Sequence, residues 1–287
     1  MELRHKAQRD GRLSSFLKQE LGLSTGLMNK LKWNERLFVN GTPRHADYPV
    51  QAGDVITALL DEEKPLYPAE EGAISVLYED EHILCVDKPA GMLIHPSCSV
   101  NSGTLANYVA YYFEKTGQCC AFHPITRLDR DTFGVVLLAK NAHIHALCSD
   151  LHNKGLLCKT YEALVLGRPD LGEGTIDAPI ARRPLPSLLR EVSPTGKISQ
   201  TFYRLMEDHG QYSLLSLRPI TGRTHQLRVH CAYMGFPILG DPQYGNEESR
   251  ALSGEMGYTT QRLCARSIAF PHPITGADLC IRSKQPL

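Results

Sequence analysis

Five consecutive positions, Arg127 to Asp131, hold four charged side chains, and an unbroken apolar run follows a few residues later. That run, Val135 to Ala139, lies between Gly134 and Lys140 and reads as a buried strand. The juxtaposition constrains the fold more than any other stretch. It sets the guanidinium groups of Arg127 and Arg130 and the carboxylates of Asp129 and Asp131 at the entrance to a sheet core. A carboxylate held there needs partners or a task. A surface ion-pair cluster in a turn would use the same letters, so the rest of the chain has to decide.

A chain of 287 residues suits one large unit with a small one, or two of middling size. Its 42% hydrophobic and 22% charged residues describe an ordinary globular protein. No apolar stretch approaches the roughly 18 residues of a membrane helix. The charged start, MELRHKAQRDGR, lacks the apolar segment of a signal peptide, so the expected location is the cytoplasm. The nine scattered cysteines form no C-x-x-C pair and read as reduced thiols, with no metal site. Net charge is zero, but an acidic block interrupts the chain. Residues 61–82 carry net −7, whereas 1–60 carry +3 and 83–287 carry +4. Mildly basic flanks permit nucleic-acid binding without requiring it.

Residues 12–60 read as a small α+β unit. Leu13, Phe16, Leu17 and Leu21 share a helix face, and Ser24 opens a second helix carrying Lys30 and Lys32. A strand then runs into an Asn40-Gly41 hairpin turn. Residues 61–73, with two prolines and five carboxylates, read as a solvated linker. Residues 74–287 alternate strands with a few helices, over 104–115, over 142–153 and, led into by Thr221 to Arg228, one ending near Gly235. His143, His145 and His152 lie on or near the second of these and read as solvated rather than as metal ligands. Residues 180–201, rich in Arg, Pro and Ser, read as an extended, mobile hairpin with Arg182, Arg183, Arg190 and Lys197 as its basic edge. The fold class is α+β, with a mostly antiparallel sheet and a few covering helices.

Three polar knots remain: residues 127–131, Lys159 to Tyr161, and Thr221 to Arg228. No G-x-S-x-G motif and no Cys/His spacing point to a hydrolase triad, and no paired metal ligands point to metal hydrolysis. A lone carboxylate, an aromatic hydroxyl and several arginines suit covalent or electrostatic catalysis by one aspartate. They equally suit an extruded base stacked on a ring, with arginines on the phosphates.

The segments VLYEDEHILCVDKPAGMLIHPS, RLDRDTFGVVLLAK, KTYEALVLG and PITGRTHQLRVHCAYMGFPILGDPQYG resemble, in order, the motifs of the RluA/RsuA-type pseudouridine synthases, the RluA branch above all. The resemblance covers residues 74–287. RLSSFLKQEL, FVNG and AGDVI resemble the small RNA-binding fold named after ribosomal protein S-four, over 12–60. The synthase resemblance implies that Asp129 is the catalytic aspartate, attacking a uridine at the anomeric carbon or at ring carbon 6, or else abstracting a sugar proton, after which the uracil rejoins the ribose through carbon 5. Tyr161 would stack on the extruded base, Arg228 would pair with the carboxylate and keep it ionised, Arg127 would fill the gap left by the base, and Leu227 would line the pocket. Arg182, Arg190 and Lys197 would grip RNA. The implied substrate is ribosomal or transfer RNA, and isomerisation needs no cofactor; nothing in the sequence demands an obligatory protein partner or more than a monomer. Thr126 and Phe133 depart from the family's usual His and Ser, which bears on RNA contact. A non-catalytic RNA-binding protein on the same fold and an aspartate-nucleophile hydrolase of nucleosides are the competing readings.

Overall fold

The computed structural model describes residues 1–61, 63, 65–97 and 100–287. A ten-stranded sheet forms the large unit. Its path runs Glu173–Asp177, Gln200–Asp208, Tyr212–Pro219, Cys158–Leu166, Leu263–Pro271, Phe133–Ala139, Ile83–Lys88 and Val76–Glu79. Asp278–Arg282 pairs with Leu263–Pro271, and His123–Pro124 with Phe133–Ala139. Among the described pairings only Phe133–Ala139 with Leu263–Pro271 is parallel, so the sheet is mixed and mostly antiparallel, in an α+β fold. Among the described residues no helix is long and apolar enough to cross a membrane.

Phe133–Ala139 is buried at every position because both faces of the sheet are covered there. Val135, Leu137 and Ala139 pack against Ile144 and Cys148 of the Ala142–Asn153 helix. Val136 and Leu138 pack against Leu105, Val109 and Phe113 of the Leu105–Lys115 helix. Gly134, at φ 110°, pairs in parallel with Ala265, and a Cβ there would strike the Ala265 backbone. Only glycine allows that approach, and it draws the 127–131 turn down onto the neighbouring strand.

The N-terminal unit begins earlier than residue 12. Glu2–Lys6 pairs antiparallel with Val55–Leu59 in a four-stranded sheet. Leu3 is its one buried apolar side chain, too weak an alternation to signal a strand. The helices Leu13–Gln19 and Thr25–Trp33 pack Leu13, Phe16, Leu17, Met28 and Leu31 into the core of this unit. Asn40 and Gly41 both take positive φ, as a two-residue hairpin requires.

The described part of segment 61–73 is not the solvated linker that its composition suggests. Asp61 pairs with Lys30 at 2.9 Å and Arg36 at 3.1 Å. Glu63 accepts from the Ala142 N–H at 2.8 Å and pairs with His123. Glu70 accepts from the Gly103 N–H at 2.6 Å. Glu63 and Glu70 staple the segment to the large unit, and Asp61 ties it to the N-terminal one. His143, expected to be solvated, is buried. The polar-looking EESRALSGE forms a helix, Glu247–Glu255, whose Asn246 cap accepts from the Ser249 N–H. Sequence reading passed over that helix because its inward face is built partly of serines.

Candidate active site

Asp129 sits in the turn that leads into Phe133–Ala139, and two anchors hold it. Its carbonyl accepts from the Thr132 N–H at 3.2 Å. Next to it, the Arg130 carbonyl accepts from Lys88 Nζ at 2.8 Å. Lys88 is fully buried at the end of Ile83–Lys88 and also donates to the carbonyls of Pro89 and Met92. Burial pushes its pKa down to about 7, against the pull of Asp131 and Asp129. Three carbonyl acceptors match an ammonium with three N–H donors; a neutral amine could serve only two of them. Lys88 therefore braces the turn as a cation.

Arg228 reaches this turn from the helix Gln226–Tyr233. An arginine on a short helix would ordinarily be exposed, but this one is only 5% so. Its Nη1 donates to Asp129 Oδ2 at 3.1 Å. Its Nε and Nη2 donate to the two oxygens of Asp241 at 2.7 and 2.9 Å, and Nη2 also reaches Gln243. Burial opposes the charge, but the Asp241 and Asp129 carboxylates outweigh it and raise the pKa of Arg228. Arg130 instead pairs with Asp131 at 3.1 Å, on the surface. The helix is fixed in turn by Gln226, which bonds Thr221, Arg223, Gln200 and Thr201. His230 bonds Thr201 and the Ala178 carbonyl.

Tyr161 lies in Cys158–Leu166 where the register against Leu263–Pro271 slips between Thr160 and Glu162. A bulge of this kind re-aims a side chain. The ring is 9% exposed and packs with Leu217, Leu227 and Leu263. Burial, and then the charge of Asp129, push its pKa up. The phenol is therefore neutral at physiological pH, an aromatic wall with a proton to donate rather than a phenolate base.

Asp129, Tyr161, Leu227, Arg228 and Arg127 line one cleft of about 540 Å³, with Lys159, Arg223 and His225 on its walls. The volume is in the range of small-ligand sites. Arg127 is exposed at the mouth. Arg182, Arg190 and Lys197 are not brought into this cleft. They belong to the hairpin in which Ile180–Arg182 pairs with Arg190–Val192, with Arg182 and Lys197 exposed. The two departures turn inward. Thr126 Oγ1 accepts from the Leu137 N–H, and Phe133 is buried beneath Arg262. Asp241, Lys88 and His225 escaped sequence reading. For Asp241 a signal existed, since an Asp before a proline in a Gly-bounded loop is placed to cap its own turn; its Oδ1 accepts from the N–H groups of Gln243 and Tyr244.

An ion-paired carboxylate beside a tyrosine, in a cleft that Arg127, Lys159 and Arg223 also line, suits the handling of an extruded nucleic-acid base. The family described as RNA pseudouridylate synthase matches residues 82–233. The RNA pseudouridine synthase YjbO of Bacillus subtilis is 34% identical over 270 residues, 93% of each chain. Ribosomal large subunit pseudouridine synthase D of Pseudomonas aeruginosa is 33% identical over 260 residues, 88% of this chain and 81% of that one. Among solved structures, human RNA Pseudouridylate Synthase Domain Containing 1 is similar with a TM-score of 0.62 and 25% identity, over 76% of this chain and 86% of that one. The chain belongs to the RNA pseudouridylate synthase family and is an isomerase of RNA uridine.

Proposed function

We propose that this chain converts uridines of large-subunit ribosomal RNA to pseudouridine, with Asp129 as the nucleophile. The observation that carries the reading is the Arg228–Asp129 pair at 3.1 Å inside the cleft lined by Tyr161. Arg228 holds the carboxylate aimed into the cleft. Asp129 attacks the extruded uridine at the anomeric carbon or at ring carbon 6, the bond from uracil N1 to the ribose breaks, the base turns and rejoins the ribose through carbon 5, the bond to Asp129 breaks, and the carbon-5 proton leaves as N1 takes one from solvent. Tyr161 stacks on the base. Arg127 occupies the gap in the RNA. Ribosomal RNA is favoured over transfer RNA because several relatives that match most of this chain bear the name ribosomal large subunit pseudouridine synthase, D or C.

The protein is expected to release tritium from RNA labelled at uridine carbon 5 and to release no free uracil. Free uracil would mark a nucleoside hydrolase, and RNA binding without tritium release would mark a non-catalytic binder. In a strain lacking the gene, pseudouridine is expected to vanish at one or more large-subunit positions. Loss confined to transfer RNA would refute the ribosomal assignment.

The N-terminal unit we read as a second RNA-binding surface of S-four-like type. In support, its Thr25–Trp33 helix ends in Trp33, the sole tryptophan, 81% exposed. Lys32 Nζ lies 6.0 Å from the ring centre. An exposed ring beside a lysine suits stacking on an unpaired base, worth about 1–3 kcal/mol. RNA should quench the tryptophan emission, less so at high salt. Trp33→Ala should weaken binding by about tenfold while turnover at saturating RNA holds. Emission unchanged at saturating RNA would remove Trp33 from the interface.

A further inference from the structure

We propose that His225 positions the Asp129 carboxylate, and that Tyr244 ties this contact to the seating of the 180–192 hairpin. The proposal rests on Asp129 being the nucleophile. Two hydrogen bonds and one longer contact run from the hairpin to Asp129. The Arg190 N–H donates to Tyr244 Oη at 2.9 Å. Tyr244 Oη lies 2.8 Å from His225 Nδ1, and His225 Nε2 lies 3.9 Å from Asp129 Oδ2.

The proton count along this chain has one natural solution. Tyr244 Oη accepts from Arg190, so its own proton is free to go to His225 Nδ1. With Nδ1 an acceptor, the neutral ring carries its proton on Nε2. That N–H faces the carboxylate. The ring stays neutral because it is largely buried. Arg228 and Arg190 further oppose a positive charge on it, against the pull of Asp129 and Asp241. Tyr244 also underlies Arg228, whose guanidinium carbon sits 4.9 Å from the ring centre, and its N–H bonds Asp241. One tyrosine thus touches the hairpin, the arginine clamp and His225.

Two details argue that the arrangement is built. His225 takes φ 57° immediately before the Gln226–Tyr233 helix, a conformation that costs a residue with a side chain and persists where the surroundings enforce it. The 3.9 Å gap to Asp129 exceeds a hydrogen bond, as catalytic contacts often do before substrate arrives. A shift of about 1 Å would close it, giving the carboxylate a second donor beside Arg228. RNA seated against the hairpin moves Arg190 and, through Tyr244, sets His225 onto Asp129.

The full-length protein is assayed by tritium release as wild type, Tyr244→Phe, His225→Asn and the double variant. Tyr244→Phe keeps the ring under Arg228. His225→Asn tolerates positive φ and keeps an acceptor near Nδ1, but is too short to reach Asp129. Each single change should lower kcat about tenfold, with KM within about twofold and the melting midpoint nearly unmoved. The double variant should be no slower than the worse single, because both break one chain. Multiplied losses in the double variant, a loss confined to KM, or wild-type kcat in either single variant overturns the proposal. Asp129→Asn is run beside them. Activity in that protein refutes the nucleophile reading; an inactive Asp129→Asn with unimpaired Tyr244 and His225 variants refutes the relay alone.

Discussion

Asp129→Asn is expected to lower tritium release by at least about 10⁴-fold, the scale on which a lost nucleophile acts, while RNA affinity changes by less than about threefold. The amide has the shape of the carboxylate but cannot form the covalent bond to the uridine. The fold should tolerate the change. Arg228 keeps both oxygens of Asp241 and the carbonyl of Gln243 when the Asp129 charge disappears. No buried cation is left unpaired, so the melting midpoint should stay within a few degrees of wild type. RNA binding should persist because Arg127 and the basic hairpin are untouched, and the cleft loses a negative charge facing phosphates. Turnover by Asp129→Asn near the wild-type rate would move the chemistry to another group.

The charge knot was legible because its surroundings were extreme. Four charges in five positions abut a strand buried on both faces, and Gly134 marks the close approach of Ala265. The pairing of Arg228 with Asp129, 99 positions apart, is consistent with the motif order that the resemblance supplied. Other features depended on contacts that no local pattern encodes. Asp241 reads as a turn residue in a Gly/Pro-rich loop, and only the fold puts Arg228 over it. Lys88 reads as the polar end of a strand, yet three carbonyls converge on it. The acidic 61–73 segment looked solvated because its partners, Lys30, Arg36, His123 and the Ala142 N–H, come from distant parts of the chain. Glu2–Lys6 was missed because a single leucine faces the core.

Arg228→Met should harm both turnover and stability, and the two losses have different causes. Turnover falls by about 10³-fold, the scale for removing a preorganised charged partner from the reacting group, because Asp129 loses the donor that aims it. Stability falls because Asp241, whose side chain has no exposure, is left with only the Gln243 and Tyr244 N–H groups to hold it. Breaking a buried pair by removing one partner costs about 3–5 kcal/mol. In a chain of this size that lowers the melting midpoint by about 10 °C. Asp241→Asn made together with Arg228→Met removes the stranded charge, so the midpoint should recover while turnover stays low. Arg228→Lys separates the two roles differently. Its ammonium neutralises Asp241 but cannot fork onto that carboxylate and still reach Asp129, so folding should largely return and catalysis should not. Calorimetry and tritium release on the same preparations read the two effects. Full turnover in folded Arg228→Met would show that Asp129 is held in its working state by something other than this arginine.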